Sequence, residues 1–181
     1  MSLDPENTLW MDLAGGRVVI RLRPDLAPNH VARIKELATE GFYDGIVFHR
    51  VIEGFMAQGG DPTGSGMSGS GKRLRAEFSR EPFVRGTCGM ARSQHPDSAD
   101  SQFFIMFDEG SFLNGQYTVW GEVVEGMEHV AARPRQDPEH ARGERRLRRR
   151  RPARGRAQPS FASSRSSTLR RMFSRLKTGS R

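Results

Sequence analysis

Arg50, Phe55, Met56 and Gln58 stand close together in the run Phe48-His49-Arg50-Val51-Ile52-Glu53-Gly54-Phe55-Met56-Ala57-Gln58-Gly59-Gly60-Asp61. Arginine is a permanent cation that carries its donors in a rigid fork. A glutamine amide both donates and accepts, which suits it to holding a backbone carbonyl. Phe55 and Met56 supply apolar surface, and Gly59-Gly60 closes the run with a turn. About forty residues further on, Ser101-Gln102-Phe103-Phe104-Ile105 adds a second amide and a second pair of rings. In a strand Gln102 and Phe104 point to the same face. Other chemistries find less support. His30, His49, His95, His129 and His140 show no ligand spacing, and the single Cys88 cannot build a zinc site. No motif frames a serine nucleophile. Gly66-Met67-Ser68-Gly69-Ser70-Gly71-Lys72 imitates a phosphate-binding loop, but Arg73 stands where a Ser or Thr would hold Mg²⁺. A surface loop is the expectation there, with no metal and no cofactor.

The two motifs and their separation resemble the active-site signature of the cyclophilins, the peptidyl-prolyl cis/trans isomerases. The resemblance covers residues 7–130 and implies a mainly β fold, a closed antiparallel β-barrel capped by two helices. It implies catalytic roles for Arg50 and Gln58. Substrate-binding roles carry over to Phe55, Met56, Ala91, Arg92, Gln102, Phe104, Phe112, Leu113 and Tyr117. The implied substrates are proline-containing peptides and unfolded or loop segments of proteins. Arg92 stands where many members have Asn, while Phe112 and Tyr117 replace the Trp and His of many eukaryotic members. Loss of the indole donor implies only weak cyclosporin binding. Retention of Arg50 argues against a binding module without catalysis.

The elements that must position these residues follow from local pattern. Thr8–Leu13 and Arg17–Leu22 read as a hairpin about Gly15-Gly16. Pro28 and Asn29 open a helix with apolar Val31, Ile34, Leu37 and Ala38, and Gly41 is a fitting stop. Short strands are expected around 42–43, 47–48, 51–52, 86–91, 102–107 and 117–124, with a second helix from Gly126 to about Ala132. Many short strands with only two helices argue for a β barrel or sandwich rather than an alternating β/α fold.

Charge divides the chain. Residues 1–130 hold 12 Lys and Arg against 18 Asp and Glu, a net −6, whereas residues 131–181 hold 17 against 3, a net +14. The first part therefore needs no polyanion partner. We divide the chain into an isomerase domain, 1–132, and an Arg-rich tail, 133–181. The tail has no Val, Ile, Tyr or Trp, so disorder is expected, together with loss of the barrel's usual C-terminal strand. Two readings of it stand side by side. One is a frameshift product of a GC-rich gene. The other is a nucleic-acid- or membrane-binding arm, built on the six arginines of Arg145–Arg151 and on the basic amphipathic spacing of Leu169, Met172, Phe173 and Leu176. One cysteine, no visible signal segment and no long apolar run imply a cytoplasmic monomer.

Overall fold

The computed structural model describes residues 4–131 and the backbone of a strand at 173–178. Two contact units divide the chain, residues 1–132 with 171–181, and residues 133–170. The second lies outside the described residues, as does the Arg145–Arg151 run.

Strands β1 (Thr8–Leu13) and β2 (Gly16–Leu22) form the expected hairpin, paired from Thr8↔Arg21 to Leu13↔Gly16. Helix α1 (Pro28–Thr39) follows. Its buried residues, His30, Val31, Ile34, Leu37 and Ala38 among them, recur at helical spacing and pack on Leu9, Met11, Val18 and Ile20 of the hairpin. Then come β3 (Arg50–Ile52), β4 (Met56–Gly59), β5 (Thr87–Met90), β6 (Phe103–Met106), β7 (Val119–Glu125) and α2 (Met127–Ala131). The segments around residues 42–43 and 47–48 are turns and irregular chain instead of the short strands expected there. Their apolar residues are used as plugs. Tyr43 is buried and donates its hydroxyl to the Ser101 carbonyl at 3.1 Å.

The sheet order is β3-β4-β6-β5-β7-β2-β1-β8, where β8 is Phe173–Thr178. All strand pairings among the described residues are antiparallel. β1 to β7 make the expected mainly β, antiparallel curled half-barrel with two helices, and among the described residues no pairing joins β3 to the far edge. The edge expected to lack its closing strand is occupied: β8 pairs antiparallel with β1, Leu9↔Thr178 and Met11↔Leu176 among the partners. Residues 173–178, assigned to an amphipathic pattern by side-chain spacing, are therefore extended. The reason is that an open edge offers unpaired N–H and C=O groups. Any extended backbone can satisfy them, so the absence of Val and Ile is no bar.

Alternation along β6 sorts its side chains between two apolar clusters. Phe103 and Ile105 belong to the main core with α1, Met11, Ile20 and Trp120. Phe104 and Met106 face a smaller cluster with Met56, Phe83, Leu113 and Val119.

Candidate active site

The smaller cluster is the floor of the site. β3 and β4 join through a tight turn in which Gly54 takes φ +71°, a left-handed conformation that side chains disfavour. The turn brings Arg50 directly opposite Gln58, and β4 in turn sets Gln58 opposite Phe104 of β6. Arg50, Gln58 and Phe104 thus form one row across three strands. Directly paired residues point to the same face of a sheet, so the row presents a cation, an amide and a ring side by side. Arg50 is exposed, and no ion pair uses it among the described residues.

Around the row, Phe104 stacks on Phe83 with centroids 5.6 Å apart and meets Tyr117 edge-on at 5.7 Å. Met56 and Leu113 are buried, while Phe55, Ala91 and Tyr117 are partly buried against the same cluster. Phe112 is 64 % exposed and touches the site through Phe55, at 5.5 Å between ring centroids. Arg92 is half-buried. It donates to the carbonyls of Gln116, Ser93 and Gln94 at 2.9–3.2 Å and lies 4.6 Å over the Tyr117 ring. Its side chain therefore props the wall of the site.

The two amides differ in what they have left to offer. Gln58 donates from Nε2 to Oε1 of Gln102 at 3.0 Å. Gln102 donates from its own Nε2 to the carbonyls of Gly66 at 3.0 Å and Ser68 at 2.8 Å. Both N–H bonds of Gln102 are thereby used, and its oxygen already accepts. Gln58 keeps its oxygen and one N–H for a ligand.

The loop that supplies those two carbonyls is built on Asp61. This carboxylate is buried and accepts from the Thr63 N–H at 2.7 Å, the Thr63 hydroxyl at 2.8 Å, the Ser65 hydroxyl at 3.2 Å and the Ser68 N–H at 3.2 Å. Burial opposes its charge, but hydrogen bonds from Thr63, Ser68 and Gly66 outweigh burial and hold its pKa far below the usual carboxylate range. Beside Arg50, His49 has its pKa lowered, first by burial, helped by the Arg50 charge against the opposing pull of Asp61. Its Nδ1 is buried without a hydrogen-bond partner among the described residues.

All eleven residues expected at the site thus stand on or beside one face. Sequence reasoning missed Phe83, Asp61 and Gly89. A Cβ at Gly89 would strike the Phe104 ring and stand 2.7 Å from Phe83 Cε1, so the stacked pair requires a glycine there. Asp61 carried a readable signal, an Asp followed by Thr63, Ser65 and Ser68, which is turn-forming chemistry. Among the described residues no group of three or more His, Cys, Asp or Glu could hold a metal ion.

Comparison with known proteins agrees with this geometry. The model of the cyclophilin-type peptidyl-prolyl cis-trans isomerase family matches residues 8–145. The chain belongs to that family, and its activity is that of a peptidyl-prolyl cis/trans isomerase. It is 60 % identical over 139 residues to a probable peptidyl-prolyl cis-trans isomerase of Brucella suis, covering 70 % of this chain and 71 % of that protein. To peptidyl-prolyl cis-trans isomerase B of Bacillus subtilis it is 43 % identical over 116 residues, covering 63 % of this chain and 80 % of the relative. Among solved structures, a cyclophilin from Hirschia baltica superposes with a TM-score of 0.67 at 30 % identity, covering 73 % of this chain and 69 % of the other. A cyclophilin-type isomerase from Cryptosporidium parvum, crystallised in the presence of the dipeptide Ala-Pro, gives 0.65 at 31 % identity, covering 68 % and 82 %.

Proposed function

We propose that the row Arg50–Gln58–Phe104 rotates X–Pro peptide bonds in proline-containing peptides and in loop or unfolded segments of proteins. The observation that carries this reading is the direct pairing of the three residues across β3, β4 and β6. Rotation of a peptide bond must break amide resonance, at a barrier of about 18–20 kcal/mol, and for X–Pro bonds it takes tens to hundreds of seconds unaided. As the bond twists, the prolyl nitrogen becomes pyramidal and regains a lone pair. Arg50 donates to that lone pair. The planar amide has no such lone pair to offer, so the interaction favours the twisted state selectively. Gln58 holds a flanking backbone carbonyl or N–H. Phe55, Met56, Phe104 and Leu113 enclose the proline ring, and Phe112 and Tyr117 form the rim. Gln102 positions Gln58, with both of its own N–H bonds given to the carbonyls of Gly66 and Ser68. No proton transfer and no cofactor enters these steps.

The test is isomerisation of an Ala-Pro peptide by the full chain with Arg50→Ala in parallel. Activity in the wild type that the variant abolishes supports the assignment. Equal activity in both refutes it. Exposed Phe112 in place of a Trp supports weak cyclosporin affinity, measurable by titration. We also propose that the protein acts as a monomer in the cytoplasm; its single cysteine, Cys88, is a free thiol. No helix among the described residues is long and apolar enough to cross a membrane. Nucleic-acid or membrane binding through residues 133–181 rests on the arginine run alone. A salt-sensitive shift on RNA, lost when those residues are deleted, would establish it.

A further inference from the structure

Arg33 is carried by α1, which contributes no residue to the row of Arg50, Gln58 and Phe104, and the fold nearly encloses it, at 9 % exposure. Burying a guanidinium costs desolvation that an apolar side chain would avoid. Its Nε is buried with no hydrogen-bond partner among the described residues, which adds to that cost. Nη1 donates to Glu36 on the same helix at 2.6 Å, and Nη2 reaches beyond the helix to the Ser70 hydroxyl at 2.9 Å. We propose that Arg33 is a positioning residue for the isomerisation: through Ser70 it fixes the loop whose carbonyls hold Gln102, and through Gln102 the direction of Gln58. The inference rests on the isomerase reading above.

Ser70 sits between opposite charges. Its hydroxyl accepts from Arg33 and donates to Asp100. Asp100 also accepts the N–H of Ser70 at 3.0 Å and that of Gly71 at 2.8 Å. Hydrogen bonds with an ionised partner are roughly twice as strong as neutral ones, and this hydroxyl has one on each side. Gly69 leaves the room for it, since a Cβ there would stand 2.7 Å from Asp100 Oδ2. The end of the loop is thus tied to α1 by Arg33, as its start is tied down by Asp61.

Between those two ties lie the carbonyls of Gly66 and Ser68, which take both N–H bonds of Gln102. The backbone before Gln102 is fixed without them. Tyr43 donates to the Ser101 carbonyl at 3.1 Å, and the Ser101 hydroxyl donates to the Gly60 carbonyl at 2.8 Å. What the loop sets is therefore the direction of the Gln102 side chain, and with it the Oε1 atom that accepts from Gln58 at 3.0 Å. Untied from α1, the loop end gains freedom that its carbonyls share, and the substrate must then order Gln58 at a cost in binding. That cost falls on KM, because Gln58 grips a flanking amide alike in the planar and twisted states.

The experiment measures KM and kcat of the full chain on an Ala-Pro peptide for the wild type, Arg33→Met and Ser70→Ala. Methionine keeps much of the length and removes the cation. Ser70→Ala cuts the same link from the loop, leaves α1 intact, and decides the matter if Arg33→Met does not fold. The expected result is a KM raised about fivefold in each variant, the order of one hydrogen bond, with kcat nearly unchanged. KM does not depend on the fraction of protein that is folded, so a merely structural role would leave it unmoved. In a Gln102→Leu background neither substitution raises KM further. Arg33→Lys, which keeps the charge and a donor, recovers part of the loss. An unchanged KM in Ser70→Ala, or a rise that persists in full in the Gln102→Leu background, would overturn the positioning role, and wild-type turnover would leave the isomerase reading standing. Absence of turnover in the wild type would overturn both.

Discussion

Gln58 donates to Gln102 at 3.0 Å, and Gln102 spends both of its own N–H bonds on the carbonyls of Gly66 and Ser68. The two glutamines are therefore unequal. Gln58 keeps capacity to spare for the proposed substrate, and Gln102 is a strut between Gln58 and the loop built on Asp61.

Gln102→Leu removes the strut while preserving bulk. We expect kcat/KM to fall by about tenfold, the order of one lost, well-placed hydrogen bond. If Gln102 acts through Gln58, the same substitution in a Gln58→Ala background has little further effect. A full additional loss in the double variant would show that Gln102 meets the substrate itself.

Arg50 stands exposed at the start of β3, so its removal leaves no buried group unpaired. Arg50→Ala is expected to lower kcat by about 10²–10³-fold, as loss of a transition-state donor does, with the melting temperature nearly unchanged. Arg50→Lys keeps the charge and loses the fork, and it recovers only part of the rate. These values are read from a coupled isomerisation assay and a thermal melt.

Gly89→Ala places a methyl group where the Phe104 and Phe83 rings already stand. Overpacking of this kind costs about 1–3 kcal/mol. If the displaced Phe104 ring encloses the proline as proposed, KM rises along with the loss of stability. Denaturant unfolding and peptide kinetics on the same sample separate the two effects.

Stability should decline with acid in two windows. The pKa of His49 is lowered in the folded state, first by burial. As pH falls through about 6.5 the unfolded chain takes up that proton and the folded one resists, so stability drops. His49→Phe should flatten the curve between pH 7 and 5. Asp61 and Glu77 are held below ordinary carboxylate values despite burial, by hydrogen bonds from Thr63 and Ser68 to Asp61 and from His30 and Asn29 to Glu77. Their contribution is full above the unfolded pKa of about 4 and is lost as pH falls through their folded values. Glu77 also accepts the N–H groups of Asn29 and His30 at 3.1 and 3.0 Å, capping α1, whose own Ala27 has no side chain to do so. Urea melts across pH 7 to 3, with Asp61→Asn and Glu77→Gln, measure each share.

Truncation after residue 131 removes β8 and leaves the edge of β1 unpaired. The expected outcome is a lower melting temperature and aggregation at high concentration. An unchanged melt with no aggregation would show that the pairing contributes nothing in solution.

Part of the layout of the candidate site could be read from residue order, because the short motif forms local structure. Arg50 to Gln58 is one hairpin, so the residues that meet are close in the chain. The β1–β2 hairpin and α1 were similarly local, set by a Gly-Gly turn and a 3.6-residue apolar period. What could not be read was distant or made of backbone. Phe104 joins Gln58 through strand register 46 residues away, and that register depends on how the whole sheet curls. Gly89 matters only because Phe83 and Phe104 stack over it. Composition argued against a strand at Phe173–Thr178 because it weighs side chains, whereas an open edge asks only for extended N–H and C=O groups. The difference between Gln58 and Gln102 likewise lay beyond composition. Identical side chains acquire different roles when a loop folded on Asp61 brings two carbonyls to one of them and leaves the other facing the groove.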